Sequence, residues 1–350
     1  MAISSVAFSP KEFRVAIQAQ AGSNSLGTAK TDGMQELNVD SISHGTLGGN
    51  NNYDLKSGGG RILQDEHYYH DNSGFVSEIS ISGVWSDEFG SLLDNITGDA
   101  AEAWEVASNY TPSVNIKTGA SLTAGNSELL TLAIMPPKNA ATTPSDTDGI
   151  LYKDCVVTAF TWSGDMGTDG GLLKYSATLK TYSPVALNQD ASGYTIAAYE
   201  LTASHTATMG DWQTPGKRII CDQADVMVNS FSMNLENDAV FLGRGASGVC
   251  EVVSRGAEFS ATADINVKYD DESADLLNQF QAATTAASAG ATQLTNATNP
   301  ADGASWGFQF PQSVFTSVAL SEGDIMNIDV SVKMVGFGNA TSTTCLTIAD

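Results

Sequence analysis

Two stretches of this chain carry one residue pattern at a single offset, and that repetition limits the fold more than any other feature. The first is Phe75-Val-Ser-Glu-Ile-Ser-Ile-Ser-Gly-Val-Trp-Ser-Asp-Glu-Phe-Gly-Ser-Leu-Leu-Asp-Asn-Ile96 and the second is Phe259-Ser-Ala-Thr-Ala-Asp-Ile-Asn-Val-Lys-Tyr-Asp-Asp-Glu-Ser-Ala-Asp-Leu-Leu-Asn-Gln-Phe280. Without a gap, Ile81 meets Ile265, Trp85 meets Tyr269, Asp87-Glu88 meets Asp271-Glu272, and Leu92-Leu93 meets Leu276-Leu277. In each copy apolar residues alternate with polar ones up to the aromatic, the period of a half-buried strand, and the spacing then becomes that of a helix. Ser86 or Asp87, and Asp270 or Asp271, are placed to cap that helix, with Glu88 and Glu272 in a first turn that favours negative charge. The pattern predicts an internal duplication.

Length agrees with duplication, because 350 residues suffice for two ordinary domains. The 40 acidic and 16 basic residues leave a formal charge of −24. Such a balance argues against gripping duplex DNA, which depends on cations displacing counterions, and against an anionic membrane as partner. The segment Met1–Pro10 has neither a basic leader nor a long apolar run, so synthesis and retention in a cytoplasm are expected. Cys155, Cys221, Cys250 and Cys345 are widely spaced, which predicts buried free thiols and no disulfide framework or zinc site.

Along the chain, strands are predicted at Glu12–Ala21 and Met34–Ile42, followed by a long Gly-rich loop from Gly45 to Gly60. After the first strand-helix unit come strands at Leu129–Met135, Cys155–Trp162 and Leu172–Lys180, with a loop from Asn139 to Gly149. The second half opens with a strand at Val226–Leu235, and its closing strands are Ser313–Leu320 and Asp324–Val335. Leu173, Tyr175, Ala177 and Leu179 alternate as Met326, Ile328, Val330 and Val332 do. The segment Ala282–Ser305, rich in Ala, Thr, Ser and Gly, reads as an insertion contributing little core. These elements predict a mainly β protein of two tandem β-sandwich domains, residues 1–190 and 191–350, each with a short flanking helix.

Motifs that could carry chemistry are weak. Gly243-Arg-Gly-Ala-Ser-Gly248 has dinucleotide-loop spacing, but the strand-like Val249-Cys-Glu-Val-Val253 follows where a helix is required, so a hairpin turn is expected. Asp65-Glu-His-Tyr-Tyr-His70 gathers carboxylates and imidazoles at a spacing that fits no structural metal site, and reads as a solvated loop. His44 and His205 stand in no nucleophile setting. No catalytic, cofactor-binding or metal residue is predicted.

The strand-helix unit Ile79–Ile96, its repeat at Ala263–Phe280, and above all the ending Phe315-Thr-Ser-Val-Ala-Leu-Ser-Glu-Gly-Asp-Ile-Met-Asn-Ile-Asp-Val-Ser-Val resemble tail tube proteins of tailed bacteriophages, especially those with long non-contractile tails. The resemblance implies a structural, non-enzymatic virion protein whose β-sandwiches join into rings. Rings would then stack into a hollow tube, built in the host cytoplasm, through which genomic DNA is ejected. Implied partners are further copies of the chain, other tail proteins at the tube ends, and double-stranded DNA passing without specific binding. The second domain copy leaves two ring compositions open, three chains with pseudo-six-fold symmetry or six chains. A β-sandwich adhesin or decoration protein, or a β-rich hydrolase, is the alternative.

Within that reading the apolar sides of the repeated strands, with Ile79, Ile81, Trp85, Ile265, Val267 and Tyr269, are expected in the cores. The polar sides are expected to face the channel: Glu78, Ser80, Ser82, Lys174, Ser176, Thr178 and Lys180 in the first half, and Thr262, Asp264, Asn266, Asn327, Asp329, Ser331 and Lys333 in the second. An acidic wall would repel phosphate. The Gly45–Gly60 loop and the 282–305 insertion are expected at contacts between subunits.

Overall fold

In a computed structural model the chain is mainly β, with twenty strands and two α-helices among the described residues. Those residues are 13–20, 26–31, 33–45, 50–53, 68–71, 76–85, 89–97, 103–107, 129–135, 149–189, 196–197, 218–224, 226–243, 251–282, 290–295, 307–323, 325–336 and 344–349. The first half contains β1 (Arg14–Ala19), β2 (Met34–Leu37), β3 (Ser41–Ser43), β4 (Asn50–Tyr53), β5 (Tyr68–Asp71), β6 (Ser77–Val84), α1 (Gly90–Thr97), β7 (Ala103–Ala107), β8 (Leu130–Met135), β9 (Gly149–Asp165), β10 (Lys174–Thr181), β11 (Ala186–Gln189) and β12 (Ile196–Ala197). The second contains β13 (Arg218–Ile220), β14 (Gln223–Ala224), β15 (Val228–Leu242), β16 (Val252–Lys268), α2 (Asp271–Ala282), β17 (Gly290–Thr295), β18 (Gly307–Glu322), β19 (Met326–Met334) and β20 (Thr344–Ala349).

Strand pairing repeats between the halves residue for residue. In the first half Ile81 of β6 lies opposite Ala177 of β10, and in the second Ile265 of β16 lies opposite Val330 of β19. On the next strand over, Ala177 faces Phe160 of β9 and Val330 faces Val318 of β18. Both ladders then slip by one residue at a β-bulge that passes over Thr158 in β9 and Thr316 in β18. A bulge is a specific local departure from regular pairing, so finding it at matching places in the two ladders is stronger than a shared strand count.

A second set of pairings repeats too. The first part of β9 pairs with β8 through Leu130↔Cys155 and Leu132↔Tyr152, and the first part of β18 pairs with β17 through Gly290↔Ser313 and Thr292↔Phe310, again with matching slips. Next to these lie β1, on β8, and β13, on β17. Even the outer hairpin recurs, since β4 and β5 pair Asn50↔Asp71 to Tyr53↔Tyr68 as the far ends of β15 and β16 pair Ala239↔Arg255 to Leu242↔Val252.

Two sequence expectations fail here. The Gly45–Gly60 region is not all loop, because Asn50–Tyr53 forms β4, paired with a strand that takes Tyr68–His70 out of the expected solvated loop. The segment 282–305 is not free of core either: it holds β17, in which Leu294 is fully buried. The small residues of Gly290-Ala-Thr-Gln-Leu-Thr hide a strand from composition, and glycine suits position 290 because its φ of 113° lies where L side chains are strained. Elsewhere Met34–Ile42 divides into β2 and β3, and β9, β15 and β18 are longer than their apolar runs.

One buried core cluster draws on both halves and contains Ile17, Ile79, Ile81, Leu132, Phe160, Trp162, Phe231, Met233, Ile265, Val330, Phe308 and Ile348. Trp85 stacks on Trp162 with ring centroids 4.4 Å apart, and Phe89, Leu92, Leu93 and Ile96 close α1 over it. Burying such aromatic and aliphatic side chains contributes about 1.5–3 kcal/mol each. Tyr269 departs from expectation. It stands where the first half has the buried Trp85, yet it is 40% exposed, because the position equivalent to Trp162 is Leu320, itself on the surface. The second helix is capped as expected of Asp270, whose Oδ1 accepts from Ser273 N at 3.0 Å while Asp270 N donates to Ser273 Oγ at 2.8 Å. Residues 86–88, where the corresponding cap is expected, lie outside the described residues.

Candidate functional site: a polar sheet face

Eight strands form one antiparallel run in the order β3, β6, β10, β9, β15, β16, β19, β18. It consists of two four-stranded units, and the joint between them is the pairing of β9 with β15, from Ser230↔Asp165 to Glu236↔Ala159. Because side chains alternate across a strand, the registers place Ser41, Ser82, Ser176, Thr161, Asn234, Thr262 and Lys333 in one transverse row. A second row runs through Lys174, Ser163, Ser232, Asp264, Ser331 and Ser317.

All the polar positions expected on one side of the strands therefore share a single face: Glu78, Ser80, Ser82, Lys174, Ser176, Thr178, Lys180, Thr262, Asp264, Asn266, Asn327, Asp329, Ser331 and Lys333. None of them is buried. Sequence reading missed the parts that β9 and β15 add, Thr161, Ser163, Asp165, Ser230, Ser232, Asn234 and Glu236. Alternation along β9 was the available signal, but the bulge at Thr158 breaks its period.

Short polar side chains on this face bond laterally to one another. Ser41 and Ser82 hydroxyls lie 2.7 Å apart, Thr161 Oγ1 donates to Asn234 Oδ1 at 2.9 Å, and Ser331 Oγ donates to Asp264 Oδ1 at 2.6 Å. Asn266 Nδ2 donates to Asp329 Oδ1 at 2.5 Å and accepts at Oδ1 from Asn229 Nδ2 at 2.9 Å. Cross-strand ladders of this kind stabilise register modestly and leave a hydrated surface of hydroxyls and amides.

The face is not an acidic field. Its carboxylates, Glu78, Asp165, Glu236, Asp264 and Asp329, are nearly matched by Lys174, Lys180, Lys268 and Lys333. The excess acidity of the chain thus lies elsewhere. Partial burial would raise the Asp238 pKa, but the hydrogen bonds from Lys180 Nζ, 3.0 Å from Asp238 Oδ1, and from Ala239 N, together with the charges of Lys180 and Arg255, hold it below the ordinary value. Lys268 Nζ lies 3.9 Å from Asp270.

Other flagged groups do not join the face. Of Gly243–Gly248 only Gly243 is among the described residues; the strands on either side, β15 and β16, are antiparallel, with Glu251 N donating to Leu242 O at 3.1 Å. His44 Nδ1 lies 3.1 Å from the Tyr152 hydroxyl, and burial pushes that phenol up to about 12. Cys155 and Cys221 are buried free thiols, and burial is the main cause that raises both, Cys221 to about 11. Cys250, His205 and Asp65–His67 lie outside the described residues. Among the described residues no group of three or more His, Cys, Asp or Glu could hold a metal, and no helix is long and apolar enough to cross a membrane. No protein-family model matches the chain, and no curated protein matches it.

Proposed function

We propose that the chain is a structural subunit of a phage-type tail tube, made of two β-sandwich domains, residues 1–190 and 191–350. Its polar sheet face lines a channel for double-stranded DNA, and rings of the subunit stack into the tube. The observation that carries this reading is the eight-stranded sheet itself, in which one register-matched unit follows another, apolar on the core side and hydroxyl- and amide-rich on the other. Repeating such units round an axis gives a closed wall, and closed cyclic rings stacked head to tail give a filament.

A channel for DNA must let phosphate slide, which a cluster of unmatched cations would prevent. Here Lys180 and Lys268 stand beside carboxylates, and Asp165, Asp264 and Glu236 keep further anions on the surface. Three chains would supply six units per ring. Negative-stain electron microscopy of the purified protein is the test: rings or tubes with an open centre are expected, and a monodisperse monomer at every concentration would contradict the reading.

A further inference from the structure

The joint between β9 and β15 has a counterpart in each chain that is left open. By the pairings that repeat between the halves, β18 corresponds to β9 (Phe160 to Val318) and β3 corresponds to β15 (Ile42 to Phe231, opposite Ile81 and Ile265). Yet among the described residues β3 pairs only with β6, and the part of β18 beyond Ser313 pairs only with β19. These are the two ends of the eight-stranded run.

Burial records the missing neighbour at both ends. Trp162, covered by β15, is fully buried, whereas Leu320 at the matching place in β18 is 51% exposed. Thr158 and Gly164 are buried while their counterparts Thr316 and Glu322 are exposed. On the other side Phe231 is buried and flanked by half-buried serines, whereas Ile42 is half-buried and flanked by the exposed Ser41 and Ser43. The apolar side of the β18 edge also presents Tyr269, Phe280, Ile325 and Met326 to solvent. Beneath it the Oε1 atom of Gln279 is buried with no hydrogen-bond partner, while Asn95, its counterpart in α1, accepts from Val157 N at 2.7 Å. A long open edge bordered by exposed apolar side chains is a template for strand addition.

We propose that the β18 edge of one copy receives β3 of a second copy of this chain, antiparallel, in the register of the internal joint. Ser41 then faces Gly323, Ile42 faces Glu322, Ser43 faces Ser321, and His44 faces Leu320, as Ser230 to Met233 face Asp165 to Trp162 within the chain. Ile42 of the incoming copy covers Leu320 as Phe231 covers Trp162, whose rings are 5.8 Å apart. Each copy offers one edge of each kind, so the contact is head-to-tail and propagates until a ring closes. The contact rests on the ring reading proposed above and specifies the surfaces that make it.

The test is oxidative cross-linking of a Ser43→Cys, Ser321→Cys double variant. Facing positions on paired strands lie within disulfide range, about 4.4–6.8 Å between Cα atoms, whereas positions two residues out of register do not. A ladder of covalent oligomers is expected, absent from the wild type under the same oxidant and from the Ser43→Cys, Ala319→Cys variant. Hydrogen exchange on the wild type gives a second readout that needs no substitution, with the amides of 317–322 gaining protection in the assembled form. Rings that form without the cross-link or the protection, or that cross-link only in the shifted register, overturn this contact and leave the ring reading intact. A chain that stays monomeric overturns both.

Discussion

The guanidinium of Arg255 donates through Nη1 to the carbonyl oxygen of Val157 at 2.6 Å, joining the outer arm of β16 to the bulged segment of β9 in the other half of the chain. The same group bonds the Asn237 carbonyl at 2.8 Å, and the carbonyl and side-chain oxygen of Asn95 near the end of α1. Asn237 Nδ2 adds a bond to the Ile96 carbonyl at 2.8 Å. A cation and an amide thus satisfy carbonyls that the end of a helix leaves without intrahelical partners, and a positive charge suits that end of the dipole.

Replacing Arg255 with Met should therefore cost about 3–5 kcal/mol, since buried carbonyl oxygens lose their donors while the core gains only apolar contact. Lysine should restore little, because one ammonium cannot span the same set of acceptors. Chemical denaturation of both variants measures this, and a loss under 1 kcal/mol in Arg255→Met would refute it.

Gly83 should not tolerate the residue its counterpart carries. Val267 is buried in the second half, but a Cβ on Gly83 would come 2.1 Å from the Asn38 carbonyl oxygen, which also accepts from the Tyr175 hydroxyl at 3.0 Å. Backbone cannot give way as a flexible side chain would. Gly83→Val should destabilise by about 2 kcal/mol or more and disturb the tyrosine bond, read as a fall in the unfolding midpoint.

Asp154 sets a pH dependence. It is fully buried, and burial raises its pKa above 3.8 although Gly27 N, at 2.7 Å, and the Ser183 hydroxyl donate to its carboxylate. A folded state that holds the proton more tightly than the unfolded chain has this stability in full below the ordinary aspartate pKa, and loses it as pH rises through the raised value. Asparagine accepts both bonds without charge and tolerates the left-handed backbone found here, φ 53°. Asp154→Asn should thus gain on the wild type as pH rises from 4 to 7, measured by thermal unfolding, and a constant difference would contradict the assignment.

Charge on the polar face should govern retention of DNA more than assembly. Asp264→Lys with Asp329→Lys leaves the core side untouched, since both side chains are exposed on the other side of the sheet. Assembled variant should retain duplex DNA in a salt-dependent manner where wild type does not. Filter binding across a salt series reads the difference.

Much of this architecture was legible because alternation and repetition survive in the residues that pack. Ile79, Ile81, Ile265 and Val267, with Leu179, Val330 and Val332, gave the strands and their faces, and the polar residues between them gave the wet side. What stayed hidden has physical causes. The bulges at Thr158 and Thr316 break the two-residue period partway along β9 and β18, beyond the segments that pair with β8 and β17. Strand β17 is built of small residues, and β4 and β5 are held by partners across a connection whose own composition reads as loop. The exposure of Tyr269 and Leu320 follows from the lack of a strand on the outer edge of β18 among the described residues, a non-local relation that no local pattern encodes.

A symmetry-free reconstruction of the assembled protein, viewed down its axis, tests the central claim most directly. Three chains per layer are predicted, each giving two four-stranded units to one continuous wall, with the β9–β15 and β18–β3 joints alternating round the ring and the face bearing Ser176 and Asp264 inward. A layer of six equivalent chains with only one half of each in the wall, or a wall with Leu320 facing its centre, would contradict it.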